Sequence, residues 1–267
     1  ISYNILAPLA ANYPIHKDNC PSKCIEWKYR FNLIQNEVLN LEPDIINLQE
    51  AEVKYAYKDI IPFFKKNGYT CHFRTQKGRT NRKTNTRNNN FGVMTIIKKS
   101  KFKTLKKGYI DYHDLYKSYI DYKFYKKAYK RFSSLVLLLN DKQINKNFYI
   151  INVHLESKPH YDDIKNLQAY IIMKYIEKIS TNKIPVILTG DFNSKPDSSA
   201  YYGITKGVSK NKFDMEDLKY PKPFINTPNT FTTLPMKSAY KEVFGKEPDY
   251  SNYTLNFKST LDYIFFN

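Results

Sequence analysis

Short apolar runs that deliver a polar side chain recur along this chain. Ser2 to Leu6 carries Asn4, Ile45 to Glu50 ends in an acid, Tyr149 to His154 ends in a histidine, and Leu261 to Phe266 embeds Asp262. Each reads as a buried strand. The run Pro185 to Asn193 is the most informative of the set, because β-branched apolar residues lead to Asp191 and, two residues later, Asn193. A strand has a side-chain period of two, which predicts that both groups leave one face at the strand tip. The turn formers from Ser194 to Ser199 then stop the strand.

The remaining pattern alternates helices with strands. Trp27, Phe31, Ile34, Val38 and Leu41 recur at helical spacing until Pro43-Asp44 breaks the run. Ala56 to Lys66 predicts a second helix closed by Asn67-Gly68. Ile164, Leu167, Ile171, Tyr175, Ile176 and Ile179 trace a third, opened by Asp162-Asp163 at the positive end of its dipole. Tyr69 to Arg74, Gly92 to Lys98, Phe132 to Leu139 and Phe148 to Val153 read as strands, the last two joined by a turn at Asn140 to Gln143. Gln76 to Asn90 is so polar that it predicts a mobile loop. Asp111 to Arg131 interleaves tyrosines with lysines, a pattern able to stack on bases and pair with phosphates. The reading preferred for it is a helical insert that packs its tyrosines against the body. With no internal repeat and no hydrophilic linker, the expectation is one α/β layered domain over residues 1–267, its polar strand ends gathered along one edge.

Composition narrows the partners. The formal net charge of +18 draws polyanions, nucleic acid above all, although joint enrichment in Lys, Asn, Tyr and Ile also follows from AT-rich coding. No apolar run is long enough to span a bilayer, so no membrane partner is expected. Three cysteines make no disulfide framework and suit a reducing compartment. This predicts an intracellular protein, with the cytoplasm expected and the nucleus and mitochondrion as alternatives. His16, Cys20 and Cys24 fall at four-residue intervals, but they lack a fourth ligand and a Cys-x-x-Cys knuckle, so ordinary thiols are preferred to a zinc site. No secretory signal is readable, and Ile1 and Asn267 both look like cut ends of a longer polypeptide.

The polar strand ends form a coherent chemical set. Glu50, Asn4 and Asp262 offer oxygen ligands suited to Mg²⁺, a hard ion that keeps several waters and takes substrate phosphate oxygens; Mn²⁺ is the alternative. Asp191 is placed to orient or deprotonate a water, and His154 and Asn193 to donate to phosphoryl oxygens. The combination predicts metal-assisted phosphodiester hydrolysis.

Ser2 to Asn4, Leu48 to Glu50, Asn152 to Leu155, Gly190 to Asn193 and Leu261 to Phe265, in that order, resemble the signature of the endonuclease/exonuclease/phosphatase superfamily. The resemblance runs from end to end and is strongest to its carbon-catabolite-repression (CCR4-type) deadenylase, nocturnin and angel branch. Trp27 to Arg30, Lys99 to Phe102, Asn252 to Thr254 and Phe257-Lys258 agree with that branch. It implies an α/β (α+β) fold, a two-layered β-sandwich flanked by helices, deoxyribonuclease I-like. It also implies Mg²⁺ dependence and 3′-to-5′ removal of nucleotides from RNA, with the poly(A) 3′ end of mRNA as substrate. Partners in a deadenylase complex would be reached through regions outside these residues.

Carried over position by position, the resemblance implies Glu50 as principal metal ligand and Asn4 and Asp191 beside the scissile phosphate. His154 becomes a phosphate-stabilising donor, Asn193 lies near the reaction centre, and Pro159 and Phe257 hold the adenine. Asp262 would orient a histidine of a final Ser-Asp-His strand, which these residues do not include, so the fragment is expected to be impaired. Phe91-Gly92 stands where many deadenylases carry Asp-Gly, removing a polar group from the substrate side. The alternatives are a phosphatase on a small nucleotide or an RNA cyclic phosphate, and an inactive RNA-binding scaffold.

Overall fold

The computed structural model describes residues 1–17, 20–76, 91–112, 115, 133–180, 183–209 and 228–267. The loop expected at 76–90 and the insert expected at 111–131 lie outside these residues, apart from 76, 111, 112 and 115.

The strands form two layers. In chain order they are β1 Ser2–Asn4, β2 Ile45–Glu52, β3 Tyr69–Thr75, β4 Phe91–Lys98, β5 Phe102–Asp111, β6 Ser133–Asp141, β7 Lys146–His154, β8 Val186–Asp191, β9 Lys237–Ser238, β10 Asn252–Thr254, β11 Phe257–Ser259 and β12 Asp262–Phe266. One sheet has the order β1-β2-β4-β3, the other β5-β6-β7-β8-β12-β9, and β10-β11 is a separate hairpin. The helices are α1 Pro8–Ala11, α2 Pro14–Lys17, α3 Ser22–Ile25, α4 Trp27–Leu41, α5 Val53–Tyr55, α6 Ile61–Lys66, α7 Asp162–Ile179, α8 Ser199–Lys206 and α9 Ala239–Phe244.

Side-chain alternation separates three cores. Ile46 and Leu48 of β2 and Met94 and Ile96 of β4 face outward onto Trp27, Phe31, Ile34 and Val38 of α4. Each such apolar side chain contributes about 1.5–3 kcal/mol on burial. Val136, Ile151, Val153 and Leu188 form the outer face of the second sheet and pack against Leu167, Ile171 and Met173 of α7. Residues of opposite parity, Val93, Ile97, Leu135, Leu137, Leu139 and Ile150, meet between the sheets. This is the helix-flanked two-layer sandwich expected from the sequence.

Several elements depart from the periodicity reading. The first strand stops at Asn4, because Leu6 takes a left-handed φ of 52°. Ala56 to Lys66 is not one α-helix: a π-helical turn, Ala56–Ile60, precedes α6. Asp59 of that turn accepts a hydrogen bond from Trp27 Nε1 at 2.8 Å, fastening it to α4. β5 has no counterpart in the pattern reading, since it is a lysine-rich edge strand with little alternation, as exposed edges tend to be. The short helix α8 was likewise absent from that reading. Its start is fixed by Ser198, whose hydroxyl accepts from the Tyr201 N–H.

Candidate active site

Parallel pairing brings the polar strand ends together. β1 runs parallel to β2, and β7 parallel to β8, so each pair presents its carboxyl ends at one edge of its sheet. Asn4, Glu50, His154 and Asp191 sit at or near these ends, with His154 registered directly against Asp191. The antiparallel β12 then begins at this edge, with Asp262 registered against Asp191 from the other side.

Glu50 needs more than alternation to reach the site. Asn47 and Gln49 face between the sheets, so the next position of a regular strand would turn toward α4 with Leu48. A bulge between Leu48 and Ala51, with Glu50 at φ 60°, redirects its side chain. Glu50 Oε1 accepts from Asn4 Nδ2 at 3.1 Å and Oε2 from the Ala7 N–H at 2.9 Å.

The bulge is clasped from the opposite sheet. Asn152 of β7 is 0% exposed; its Nδ2 donates to the carbonyls of Leu48 at 3.2 Å and Met94 at 3.0 Å, and its Oδ1 accepts from Gln49 Nε2 at 2.9 Å. From the helix side, Arg30 donates through Nη1 to the carbonyls of Ile5 and Leu6, at 2.7 and 2.9 Å, steadying the segment that presents the Ala7 N–H. Burial lowers the pKa of this guanidinium and nearby Glu50 opposes the shift; the group remains a cation.

Asn4 joins the sheets at the site. Its Oδ1 accepts from the Leu6 N–H at 3.0 Å, which fixes the amide so that Nδ2 points at both Glu50 Oε1 and Asp191 Oδ2, the latter at 2.9 Å. His154 Nε2 lies 3.8 Å from Asp191 Oδ2 and 4.0 Å from Glu50 Oε1. Two carboxylates, an amide and an imidazole thus converge from four strands. Gly190 makes this approach possible: at φ 141°, a Cβ there would lie 2.0 Å from the Val153 carbonyl oxygen of the neighbouring strand.

Asp262 is held apart from that quartet. Its Oδ2 accepts from Ser251 Oγ at 2.6 Å, while Ser251 Oγ accepts the N–H groups of Leu261 and Asp262. Burial, followed by repulsion from Asp191, pushes the Asp262 carboxyl up to about 7, against a smaller downward effect of the Ser251 hydroxyl.

Asn4, Glu50, His154 and Asp191 are brought together; Asp262 is adjacent through its strand. Asn193 departs from the expectation of a shared strand face. β8 ends at Asp191, and Asn193 takes a left-handed φ of 48° beyond it. Its N–H donates to Asp191 Oδ1 at 2.8 Å, an Asx turn, and its Nδ2 to the Leu155 carbonyl at 3.1 Å. It buttresses Asp191 rather than sharing its face. Pro159 is exposed in the connection before α7, and Phe257 lies on β11 with Lys195 Nζ 5.8 Å from its ring centroid. Phe91 packs beside His154, ring centroids 6.3 Å apart, so an apolar ring lines the imidazole. Cys20 Sγ donates to the His16 carbonyl at 3.3 Å.

The expected Glu50, Asn4 and Asp262 metal set is not assembled as such. Asn4 turns nitrogen, not oxygen, to Glu50, and Asp262 is engaged by Ser251. Among the described residues no three His, Cys, Asp or Glu side chains form a metal-holding group. The donors at hand still fit a hard divalent ion, because Mg²⁺ is commonly bound by one or two carboxylates and completes its shell with water. Glu50 would supply such a carboxylate, with Asp191 beside it, both within hydrogen-bond reach of the same amide nitrogen.

Sequence reading missed Asn152, Gln49, Arg30 and Ser251. Asn152 opens the motif Asn152 to Leu155, and a second signal is an amide in an apolar strand two residues before His154, where an unpartnered side chain would be costly.

Over 100% of its length the chain is 30% identical to the CCR4-Not complex 3′-5′-exoribonuclease subunit Ccr4 of Candida albicans, covering 35% of that protein. It is 32% identical to the probable Ccr4 subunit of Vairimorpha ceranae, again over 100% of this chain and 54% of the relative. The chain thus spans about a third to a half of these curated relatives. Among solved structures, ANGEL2, a 2′,3′-cyclic phosphatase crystallised with adenosine-2′,3′-vanadate, superposes with a TM-score of 0.76 at 22% identity, covering 99% of this chain and 82% of that one. The human nocturnin catalytic domain gives 0.69, also at 22% identity, over 99% and 79%. These likenesses establish the fold and support the deadenylase, nocturnin and angel branch. The model of the Endonuclease/Exonuclease/phosphatase family matches residues 1–267, and the chain belongs to that family.

Proposed function

We propose that this protein is a Mg²⁺-dependent phosphodiester hydrolase that removes nucleotides from the 3′ end of RNA, with poly(A) as its substrate. The observation that carries the reading is the convergence of Asn4, Glu50, His154 and Asp191 on one point between the two sheets. The curated relatives whose names specify a 3′-5′-exoribonuclease support the RNA substrate, and the charge of +18 supports a polyanion.

Each residue has a chemical task in this reading. Glu50 would hold the divalent ion, its carboxylate pre-aimed by Asn4 and the Ala7 N–H. When bound, such an ion neutralises charge on the phosphoryl oxygens and stabilises the leaving oxygen. Asp191, with Oδ1 fixed by Asn193 and Oδ2 by Asn4, orients the attacking water and accepts its proton. His154, next to both carboxylates, donates through Nε2 to a phosphoryl oxygen. Asn4 donates to both carboxylates, which holds each in place and offsets part of their mutual repulsion by favouring the charged forms. Partners in a deadenylase complex belong to the same proposal.

A 5′-labelled RNA with an oligo(A) tail, compared with one of mixed 3′ sequence, tests the assignment in the presence of Mg²⁺. The expectation is stepwise shortening of the oligo(A) RNA in preference, abolished in Glu50→Gln without loss of fold. Equal trimming of both would remove the poly(A) preference. Trimming of neither, with release of phosphate from a nucleoside 2′,3′-cyclic phosphate, would move the assignment to a phosphatase.

A further inference from the structure

The hairpin β10–β11 carries an aromatic side chain on each face, and its one lysine on the face of Tyr253. Cross-strand pairs of an antiparallel ladder alternate between faces. Tyr253 pairs with Lys258 on one face, while Thr254 with Phe257 and Asn252 with Ser259 occupy the other. Phe257 is thus on the face to which Lys195, two residues beyond Asn193, also reaches. The Tyr253 face has no assigned role.

That second face is built from two tyrosines around one ammonium. Lys258 Nζ lies 4.3 Å from the Tyr250 ring centroid and 5.5 Å from that of Tyr253, and the two rings are 5.6 Å apart at 61°. Tyr253 is 69% exposed and Tyr250 47%, and neither belongs to any of the three cores. Large rings held clear of the core and set beside a cation suit a π-faced, anionic ligand better than a packing role. The platform is also continuous with the site: Ser251, between Tyr250 and β10, is bonded to Asp262 Oδ2 at 2.6 Å.

The geometry points to a second nucleobase-stacking platform, formed by Tyr250, Tyr253 and Lys258, that holds single-stranded RNA 5′ of the nucleotide being removed. It rests on the RNA-hydrolase reading above. Bases stack on the tyrosine rings without sequence preference, since every base has a π-face. Lys258 retains N–H donors for a phosphate between stacked bases, and the charge of +18 favours the polyanion. The Phe257 face serves the terminal nucleotide, so the hairpin separates the RNA being held from the residue being cut.

The test is fluorescence anisotropy with the intact protein in EDTA, using a labelled oligo(A) long enough to cross the hairpin and a labelled diadenosine monophosphate confined to the cleavage site. The double substitution Tyr250→Ala/Tyr253→Ala is expected to weaken the long RNA by roughly tenfold or more while changing the dinucleotide by less than about twofold. Tyr250→Phe/Tyr253→Phe keeps the stacking surface and is expected to restore affinity. Lys258→Ala, a second and independent variant, should reduce the salt slope of long-RNA binding by about one. Thermal melting confirms that each variant is folded. Long-RNA affinity unaffected by the double alanine variant would overturn the platform, as would equal losses for both ligands. If the unsubstituted protein binds neither ligand, the RNA-hydrolase reading falls first. If it binds RNA normally and the alanine variant does too, that reading stands and the hairpin face belongs to another partner, such as a protein.

Discussion

Asn152→Leu is the substitution most informative about how the fold makes the site. The change nearly conserves volume but removes an amide that makes three hydrogen bonds at zero exposure, two of them to the carbonyls flanking the bulge before Glu50. Each such bond contributes about 1 kcal/mol net, so the loss is roughly 2–3 kcal/mol. Gln49 Nε2 keeps Ser2 Oγ and the Asn47 carbonyl as partners, which limits the cost on its side. For a domain of this size, the melting temperature should fall by about 5–10 °C. The bulge, freed on its inner side, should also let Glu50 relax away from Asn4, and a misplacement near 1 Å can cost about a hundredfold in rate.

Thr95→Val provides the comparison. Thr95 Oγ1 donates to Asn47 Oδ1 at 2.8 Å, also buried between the sheets, but it does not touch the bulge. It should cost about 1 kcal/mol and leave the metal requirement unchanged. The assays are thermal denaturation and Mn²⁺ binding followed by electron paramagnetic resonance, with Mg²⁺-dependent hydrolysis alongside. Asn152→Leu should weaken ion binding and activity beyond what its stability loss explains. If the two variants shift the ion requirement equally, or Asn152→Leu shifts nothing, the clasp does not position Glu50.

Gly190→Ala places a Cβ against the Val153 carbonyl at φ 141° and should destabilise the fold severely, read as loss of soluble protein or a much lower melting temperature. Mg²⁺ should raise the melting temperature of the unsubstituted chain at constant ionic strength, by the several degrees that about 2–3 kcal/mol of linkage represents at hundredfold saturation, and should do so much less in Glu50→Gln. In EDTA, the folded Asp262 carboxyl keeps its proton up to about pH 7, whereas the unfolded one loses it near 3.8. The folded state binds more protons at this carboxyl in that window, so its contribution to stability is fully present below about pH 4 and is lost as pH rises toward 7. Asp262→Asn should flatten this decline in urea titrations; an unchanged pH profile would remove the perturbed carboxyl from the account.

Much of the architecture was legible because local pattern and tertiary role coincide. Trp27, Phe31, Ile34 and Val38 show the apolar face of α4 directly, and the runs around Ile46, Ile150 and Leu188 are β-branched or leucine-rich because both strand faces are covered. Asn4, Glu50, His154 and Asp191 stood out as polar residues closing such runs. The misses have a common cause in side-chain direction, which periodicity assigns only while the backbone stays regular. Glu50 and Asn193 both take positive φ, so their faces were set by a bulge and by an Asx turn. Asn152 and Ser251 act through partners 104 and 11 residues away, contacts that no window along the chain contains. β5 failed for a different reason: an edge strand needs little apolar content, and its lysines resemble a loop.

The arrangement sets two carboxylates against one imidazole and one amide in a part-buried place, a combination that the fold alone does not favour. Like charges raise the cost of burial, and an amide can satisfy hydrogen-bonding demand without neutralising charge. Asn4 is nonetheless fixed to contact both acids, Asn193 locks one of them, and the Ala7 N–H, steadied through Arg30, locks the other. Every support orients a carboxylate; among the described residues none brings a full positive charge into contact with Glu50 or Asp191, since the Arg30 hydrogen bonds there go to backbone carbonyls and His154 stands 3.8–4.0 Å off. A structural ion pair would be built the other way round, with a guanidinium or ammonium bonded to the acid. Pre-aimed carboxylates without a counter-charge among the described residues suit a site whose positive charge arrives with the ligand, and that is the physical ground on which a cation-assisted reaction at a phosphate is preferred to a purely structural polar cluster.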